Sequence, residues 1–384
     1  MLRVAIVGCG KIADEHAQHI SRIENCKLVG LCDEEVLMAR QMHDRFNQVD
    51  YFDNVDELLS RVRPDVVHIT TPPQSHFTLA RRCLEAGCHV YVEKPFTLKA
   101  QEAVRLITLA KDGMLKATVG HHLLFSDPAM RMRDLVRSGF LGDGPVHLES
   151  YYGYNLGDAY ARAFLGDRQH WLRRLPGGLF QNIISHGISR IAEYMPSDSP
   201  TVIAHAFTSR FLQGLGEHQI QDELRVIISD ESMTAYFTFS SQMRPQLSQF
   251  RIYGNRNGLE LDDLRHTLIK LTGAKYKSYL ENFIPPVSLG AVYLRNAASN
   301  MRKFVTRQLN MTAAMRTLIE KFYRSITHDD PLPIPYRDII LTAHIMDAIF
   351  SQTRRMSAAI PENAIDRLAE PQTGNGEEAC KSTM

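Results

Sequence analysis

Short apolar runs alternate with helical stretches over the first 120 residues, and this alternation limits the possible folds more than any other feature of the chain. Leu2–Val7, Lys27–Cys32 and His89–Val92 are apolar runs of strand length. Glu15–Arg22 and Thr97–Lys111 lie between such runs and have the spacing of helices. Strands separated by helices form βαβ units with right-handed crossovers. The sequence therefore predicts an α/β fold that begins with a doubly wound parallel sheet.

A glycine motif, GCGKIA, follows the first predicted strand and opens the next helix. Gly8 would make the tight turn, Gly10 would let the backbone approach a pyrophosphate, and Ala13 would keep the helix close to the sheet. Lys11 and Ile12 would lie in the first turn of the helix, where free N–H groups attract phosphates. The motif predicts a Rossmann dinucleotide site. A glycine turn in a sheet protein that binds no nucleotide is the alternative.

An acidic residue follows at the position where a dinucleotide needs one. Asp33 ends the second predicted strand 20 residues after Ala13, where a carboxylate can accept hydrogen bonds from a ribose. Glu34 and Glu35 extend it into a carboxylate cluster that would repel a 2′-phosphate. We therefore expect NAD as the cofactor, with NADP less favoured.

Two polar loops follow later strands, at the sheet edge where doubly wound folds bind ligands. The first loop contains Thr70, Thr71, Pro72 and His76, and the second is Glu93-Lys94-Pro95. A solvated turn would also explain the second loop on its own.

The segments GCGKIADEH, TTPPQSH and VEKP occur in an order and spacing that resemble the Gfo/Idh/MocA family of NAD(P)-dependent oxidoreductases. The resemblance covers residues 1–262 and, more loosely, 315–355. It implies that Lys94 lies beside the nicotinamide and the reacting hydroxyl, and that Glu93 positions Lys94 or touches the cofactor. The position of the loop from Thr70 to His76 at the ends of the strands predicts that Thr70, Thr71, Pro72 and His76 contact the cofactor.

The pattern after residue 120 is that of a second domain. Strands are predicted at Thr201–Ser209, Glu223–Ile228, Met233–Ser240 and Gln249–Tyr253. They indicate a C-terminal α+β domain with an open, mostly antiparallel sheet. We expect a nucleotide domain over residues 1–120, a substrate and oligomerisation domain over 121–361, and a disordered tail over 362–384. The resemblance implies a homodimer or homotetramer formed through the sheet.

An apolar helical segment of this second domain carries Asn182 and His186, which lie four residues apart and share a face. Such a pair can be a satisfied core pair, but the resemblance implies a sugar site, where relatives commonly carry Asp at the position of Asn182. Because an amide cannot take a proton, His186 is the expected base and Lys94 the expected electrostatic partner. His122, Tyr152 and Arg173 are further candidates for substrate contact, with a structural role open for His122.

Residues 270–310 carry seven basic residues against the single acid Glu281. Leu294–Leu309 alternates apolar and basic residues roughly as a helix does. Three interpretations remain open: a solvated helix that covers a sheet edge, a peripheral helix on anionic lipid, or an arm for a substrate diphosphate or a neighbouring subunit.

Composition excludes several classes of protein. Lys and Arg number 44 against 43 Asp and Glu, so charge predicts no nucleic-acid partner. We expect no transmembrane helix, because no run of 18 apolar residues occurs. Reduced cysteines without an export signal indicate a cytoplasmic protein, and the spacing of Cys and His predicts no metal site.

We therefore predict an NAD(P)-dependent oxidoreductase that moves a hydride between a nicotinamide and a secondary alcohol or ketone. The expected substrate is a sugar, a cyclitol or a nucleotide-sugar. Two alternatives remain on the same fold: a glycosidase that cycles a tightly held NAD, and a regulator that binds NAD or sugar without turnover.

Overall fold

The computed structural model describes residues 1–46, 49–157, 159–273, 276–277, 279–306 and 312–359. Three features of the sequence analysis lie outside the described residues: Lys275 and Arg307 of the basic segment, the end of the helix expected over Leu294–Leu309, and the tail over 362–384.

Six parallel strands form the first sheet, in the order β3-β2-β1-β4-β5-β6. The strands are β1 (Leu2–Val7), β2 (Cys26–Cys32), β3 (Tyr51–Phe52), β4 (Val66–Ile69), β5 (His89–Val92) and β6 (Ala117–Val119). The helices between them are α1 (Lys11–Ile20), α2 (Val36–Arg45), α3 (Val55–Val62), α4 (His76–Glu85) and α5 (Ala100–Asp112). The predicted doubly wound sheet is confirmed. Its strand order reverses between β1 and β4, which places a ligand crevice at their carboxyl ends.

Local chemistry explains where the helices of this sheet begin. The side chain of Asn54 accepts hydrogen bonds from the N–H groups of Asp56 and Glu57, and so caps α3. Helix α1 begins at Lys11, four residues before the predicted start, because Gly10 already stands in the extended N-cap conformation. Strand β3 was not predicted, since two residues are too few to show a periodic pattern.

Seven strands form the second sheet, in the order β13-β12-β11-β7-β10-β9-β8. They are β7 (Pro145–Gly153), β8 (Thr201–Phe207), β9 (Glu223–Ser229), β10 (Thr234–Ser240), β11 (Ser248–Gly254), β12 (Asn257–Asp262) and β13 (Thr267–Thr272). Strands β7 and β10 pair in parallel and all other neighbours are antiparallel, which confirms the mostly antiparallel sheet. Strand β13 extends into the basic region over residues 270–310.

Helices cover one face of the second sheet and leave the other face open. The helices after residue 120 are α6 (Asp127–Arg137), α7 (Ala159–Gly166), α8 (Gly178–Ile183), α9 (Ser185–Tyr194), α10 (Arg210–Gly214), α11 (Leu280–Val305), α12 (Ala313–Thr327) and α13 (Tyr336–Ala359). Helices α9 and α13 pack on the sheet, whereas Ile203, Ile227 and Tyr236 are exposed on its other face. Among the described residues, no helix is both long enough and apolar enough to span a bilayer.

The chain returns to the first sheet near its end. Helix α12 buries Met315, Leu318, Ile319 and Phe322 in the same apolar core as β1 and β4. Most of α13 packs instead in the core of the second sheet. Residues that the sequence assigns to the second domain therefore complete the core of the first.

A buried series of polar groups links α12 to the carboxyl end of β5. The hydroxyl of Tyr323 lies 2.8 Å from Nε2 of His68, and Nδ1 of His68 lies 2.7 Å from Nδ1 of His16. Nε2 of His16 donates to the carboxylate of Glu93 at 3.1 Å. Burial alone would raise the pKa of Glu93, but His16 and nearby positive charge outweigh burial and lower it to about 2. Each group in the series depends on its neighbour, because none can reach bulk water.

We expect Tyr323→Phe to lower the free energy of unfolding by about 1–3 kcal/mol, because it leaves a ring nitrogen of His68 buried and unpaired. Urea denaturation at neutral pH measures the change. Tyr279→Phe, which removes the same atom from an exposed side chain, should change the free energy of unfolding by less than about 0.5 kcal/mol. Equal effects of the two substitutions would contradict the role of the buried series.

Acid should destabilise the fold at pH values well above those at which carboxyl groups ordinarily titrate. Burial lowers the pKa of His19 to about 4 and that of His121 to about 3, and it holds the pKa of His68 well below its ordinary value. Below pH 6.5 the unfolded chain binds protons that the folded chain does not. Each such histidine then removes up to about 1.4 kcal/mol of stability per pH unit.

We therefore expect the free energy of unfolding to fall steadily as the pH drops from about 6.5 to 5. Asp338 has the opposite effect on stability, since burial raises its pKa to about 6 and its protonation favours the folded state. Seven histidines with a lowered pKa outweigh this single carboxyl group. Urea denaturation at several pH values gives the slope, and His19→Gln should make it shallower. A stability that does not change over this range would refute the prediction.

Candidate functional site

The turn after β1 leaves room for a phosphate group. Gly8 has a φ of +95°, and a Cβ there would lie 2.7 Å from the backbone nitrogen of Thr71, so only glycine fits. A Cβ at Gly10 would meet nothing within 4 Å, which leaves open space beside the start of α1. Within the described residues no side chain caps α1. The N–H groups of Lys11 and Ile12 are thus placed to bind an anion, as a dinucleotide requires.

Asp33 lies at the edge of the same crevice. One carboxylate oxygen accepts a hydrogen bond from the N–H of Cys9 at 2.6 Å, and the other accepts from the N–H of Glu35 at 2.9 Å. These bonds fix the carboxylate beside the glycine turn, and each oxygen keeps a lone pair for a ribose hydroxyl. Glu34 and Glu35 are exposed nearby. The predicted cofactor residues 8–13 and Asp33 therefore lie together.

Some residues of the loop after β4 are hydrogen-bonded to neighbouring loops, and others are accessible to a ligand. The hydroxyl of Thr70 donates to the backbone of the glycine turn at 2.5 Å. The ring nitrogens of His76 lie 2.8 Å from the carbonyl oxygen of Pro95 and 2.9 Å from that of Thr71. The polar atoms of Thr70 and His76 thus tie neighbouring loops together. Thr71 is half-buried and Pro72 exposed, so these two remain open to a ligand.

Lys94 joins the two sheets. Its Nζ donates to the backbone carbonyl of Asn182 at 2.9 Å and lies 3.4 Å from the Oδ1 of the same residue. Burial lowers the pKa of Lys94, while the adjacent carboxylate of Glu93 opposes that shift. The lysine from the end of β5 therefore lies against α8, the helix that leads into His186.

His186 is buried and surrounded by polar rings. Its imidazole lies 5.5 Å from that of His122 and 5.6 Å from the ring of Tyr152, measured between ring centroids. Burial, assisted by the positive charge of Lys94, holds the pKa of His186 well below its ordinary value. The ring is therefore neutral at physiological pH and able to accept a proton.

Several buried polar atoms around this point have no hydrogen-bond partner within the part of the chain that the structure describes. They are both ring nitrogens of His121, Nδ1 of His122, Oγ of Ser185 and Nδ1 of His186. Unpaired buried polar atoms are costly and rare, so a cluster of them indicates a site that a ligand completes. His121 and Ser185 were missed in the sequence, although the pair His121-His122 at the end of a buried strand was a usable signal.

Arg173 is held by hydrogen bonds within the second domain. Its guanidinium donates twice to Glu217, at 2.8 and 3.1 Å, and also to the carbonyl oxygens of Phe164 and Leu165. These bonds use most of its donors. Arg173 also lines a separate cavity beside the start of α8, and its contact with substrate stays a prediction.

A cavity of about 280 Å³ adjoins Tyr152. Its wall includes Leu123, Phe125, Asp127, His266 and Lys303. The described residues contain no group of three or more His, Cys, Asp or Glu side chains arranged to hold a metal. The site therefore combines a nucleotide crevice, a lysine, a neutral histidine and space for a further group.

Comparison with known sequences finds a family model that matches the first sheet. Residues 2–121 match the Gfo/Idh/MocA profile, an oxidoreductase family with an NAD-binding Rossmann fold. The D-glucoside 3-dehydrogenase of Escherichia coli (strain K12) is 33% identical over 144 residues, 37% of this chain and 41% of that protein. Glycosyl hydrolase family 109 protein 2 of Shewanella sp. (strain ANA-3) is 25% identical over 206 residues, 50% of this chain and 44% of that protein. The chain thus spans less than half the length of these curated relatives.

Solved structures extend the likeness to the fold of nearly the whole chain. The WlbA dehydrogenase from Bordetella pertussis, in complex with NADH and UDP-GlcNAcA, covers 92% of this chain and 96% of its own, with a TM-score of 0.74 and 14% identity. At such identity the likeness is one of fold alone. Residues 2–121 are thus similar to the Gfo/Idh/MocA oxidoreductases, whose family model describes an NAD-binding Rossmann fold.

Proposed function

We propose that this chain is an NAD-dependent oxidoreductase that interconverts a secondary alcohol and a ketone on a sugar. The observation that carries the proposal is the contact of Lys94 with Asn182, at 2.9 Å from Nζ to the backbone carbonyl. This contact brings an ammonium group from the first sheet to the helical segment that carries the neutral imidazole of His186. A cation and a base that converge beside a nucleotide crevice are what alcohol oxidation needs.

Each side chain has a distinct role in this proposal. When bound, the nicotinamide supplies the acceptor for the hydride. Lys94 holds positive charge where the substrate oxygen becomes negative, which lowers the pKa of the hydroxyl. His186 takes the hydroxyl proton, because burial and Lys94 keep its ring neutral. Asn182 can orient a hydroxyl but cannot accept its proton.

Glu93 supports this arrangement from behind. Its carboxylate is ionised, with a pKa of about 2, and it opposes the lowering of the pKa of Lys94 by burial. The hydrogen bond from His16 fixes one carboxylate oxygen, and the other accepts from the N–H of Lys94 at 3.2 Å. We therefore propose that Glu93 keeps the ammonium charged and in place.

The substrate that we propose is a glycoside or nucleotide-sugar rather than a free hexose. The cavity beside Tyr152 has about 280 Å³, and the ring of Tyr152 lies 5.6 Å from that of His186, so we propose that this cavity takes a group attached to the reacting ring. One similar protein is named a D-glucoside 3-dehydrogenase, and a protein of the same fold was solved with UDP-GlcNAcA. Both support a sugar that carries a substituent.

A redox-cycling glycosidase is the second candidate. It is favoured by the 25% identity with glycosyl hydrolase family 109 protein 2, which extends over half of this chain. The same lysine and histidine would serve both reactions. A dehydrogenase accumulates NADH in step with ketone, whereas the cycling enzyme releases the aglycone with no net NADH, so absorbance at the nicotinamide band separates them. A regulator without turnover would do neither.

We also propose self-association through the open face of the second sheet. Ile203, Ile227 and Tyr236 form an exposed row across three neighbouring strands of that face. An apolar row of this kind suits a second copy of the same sheet. A cytoplasmic location would keep the five described cysteines as free thiols.

We expect Lys94→Ala and His186→Ala each to lower kcat by about 10²–10⁴-fold with saturating NAD, because the first removes the charge that stabilises the developing alkoxide and the second removes the base. The assay follows NADH formation on alkyl glucosides and UDP-N-acetylglucosamine. NAD affinity, measured by calorimetry, should change little. His205→Ala removes an exposed histidine and serves as the matched control. Turnover that survives both active-site substitutions would overturn the proposal.

Asp33→Ala should lower the preference for NAD over NADP by about 10–100-fold, since it removes a charged hydrogen-bond acceptor and a repulsion toward a 2′-phosphate. The ratio of kcat/KM for the two cofactors measures the effect. Glu34→Ala, which removes a neighbouring exposed carboxylate, should change this ratio less. An unaltered ratio in the Asp33 variant would assign the preference elsewhere.

A further inference from the structure

Helix α11 rests on the protein through polar contacts. The side-chain amide of Asn300 donates to the carbonyl of Arg265 at 2.8 Å, and that of Asn296 donates to the carbonyl of Leu268 at 3.5 Å. Lys303 forms an ion pair with Asp127. No residue of this 26-residue helix is buried. The face of α11 that touches the protein is therefore largely polar near its C-terminal half.

The opposite face of α11 is apolar and open to solvent. Phe283, Val287, Leu294, Met301 and Val305 are between 64% and 74% exposed. At about 100° per residue, these five side chains point about 140–180° away from Asn296. They form one continuous stripe along most of the helix. Monomeric proteins rarely expose such a stripe unless it contacts something else.

One edge of the stripe carries positive charge that no acid neutralises within the described residues. Arg295 and Arg302 project from one edge and are exposed, and within the described residues neither forms an ion pair with an acid. Tyr293 lies at the other edge and is 49% exposed. Glu281 is the single acid of α11, and its carboxylate accepts from a backbone N–H near the start of the helix. The stripe is thus bordered by basic and aromatic side chains.

This charge distribution discriminates between two occupants. An antiparallel second copy of α11 would bring its own arginines toward Arg295 and Arg302, where like charges would repel, and a parallel copy would set them against the edge with Tyr293, which offers no negative charge. An anionic lipid surface offers phosphates to the arginines and acyl chains to the stripe. Tyrosine at the edge is suited to the headgroup region, where its ring is apolar and its hydroxyl wet.

We propose that α11 is a peripheral membrane-docking surface for anionic lipid. The helix, about 39 Å long, would lie in the plane of the bilayer with Phe283, Leu294 and Met301 below the headgroups. Arg295 and Arg302 would contact lipid phosphates. The docking itself does not depend on the enzymatic activity.

Docking of α11 would also affect the cavity beside Tyr152, and this effect matters only if the proposed function is correct. Lys303, two residues before the end of α11, also lines the cavity beside Tyr152. A docked helix would therefore bring this cavity near the lipid headgroups. Such a position suits a sugar whose substituent is itself anchored in the membrane.

The test is sedimentation of the full-length chain with lipid vesicles at low and high salt. We expect binding to vesicles of phosphatidylcholine with about one-third phosphatidylglycerol, weaker binding at high salt, and little binding to phosphatidylcholine alone. The combined variant Phe283→Ser, Leu294→Ser and Met301→Ser should lose binding by about tenfold or more. Removing the arginines, as Arg295→Gln with Arg302→Gln, should weaken it about fivefold for each.

The control variant carries Phe211→Ser and Leu215→Ser, which remove exposed apolar groups elsewhere, and it should bind as the unaltered chain does. Circular dichroism establishes that every variant is folded, and sedimentation velocity gives its mass. Absence of vesicle binding in the unaltered chain would overturn the proposal. So would an apolar α11 variant that binds vesicles normally but changes from dimer to monomer, since a second copy would then occupy the stripe. NADH formation on soluble glucosides tests the proposed function separately and should not change in these variants.

Discussion

The contact between the ammonium of Lys94 and the carbonyl of Asn182 is the interaction on which the rest of the site depends. A buried ammonium group is tolerated only where acceptors and negative charge surround it. The carbonyl supplies one acceptor, and the neighbouring carboxylate of Glu93 supplies the charge. Because the lysine follows β5 and α8 provides the carbonyl, the contact joins the end of the first sheet to the helices of the second domain. The imidazole of His186 then lies within the field of Lys94, and its neutrality follows from that position and from burial.

The carboxylate behind Lys94 is itself held by groups from distant parts of the chain. Glu93 remains ionised in a buried position because His16 donates to it, and His16 is in turn held by His68 and Tyr323. Hydrogen bonds in a buried series strengthen one another, and each is costly to break. Helix α12 therefore supports the carboxylate behind Lys94 through the hydroxyl of Tyr323, and its first turns also line the cavity beside Tyr152. The return of the chain to the first sheet thus completes the apolar core and also holds the carboxylate of Glu93 in place.

Features that depend on neighbours in sequence could be predicted, and those that depend on distant contacts could not. The glycine turn, Asp33 and the loops after β4 and β5 follow from short motifs, and the structure places them around one crevice. Tyr323 lies 255 residues after His68, and no local pattern announces their contact. The same holds for Arg173, because its hydrogen bonds with Glu217, 44 residues further along the chain, could not be read from a local pattern.

Helix α11 shows a different limit of sequence patterns. An amphipathic helix normally turns its apolar stripe to the core and its polar face to water. In α11 the polar residues Asn296, Asn300 and Lys303 hold the protein, whereas Leu294 and Met301 face outward. Periodicity alone reveals that a helix has two faces, but it does not reveal which face the protein covers. The interpretation as a solvated helix over a sheet edge assumes the usual orientation, with the apolar face toward the protein. An inverted helix exposes apolar surface that the fold leaves unburied, so the burial of that surface depends on a second body.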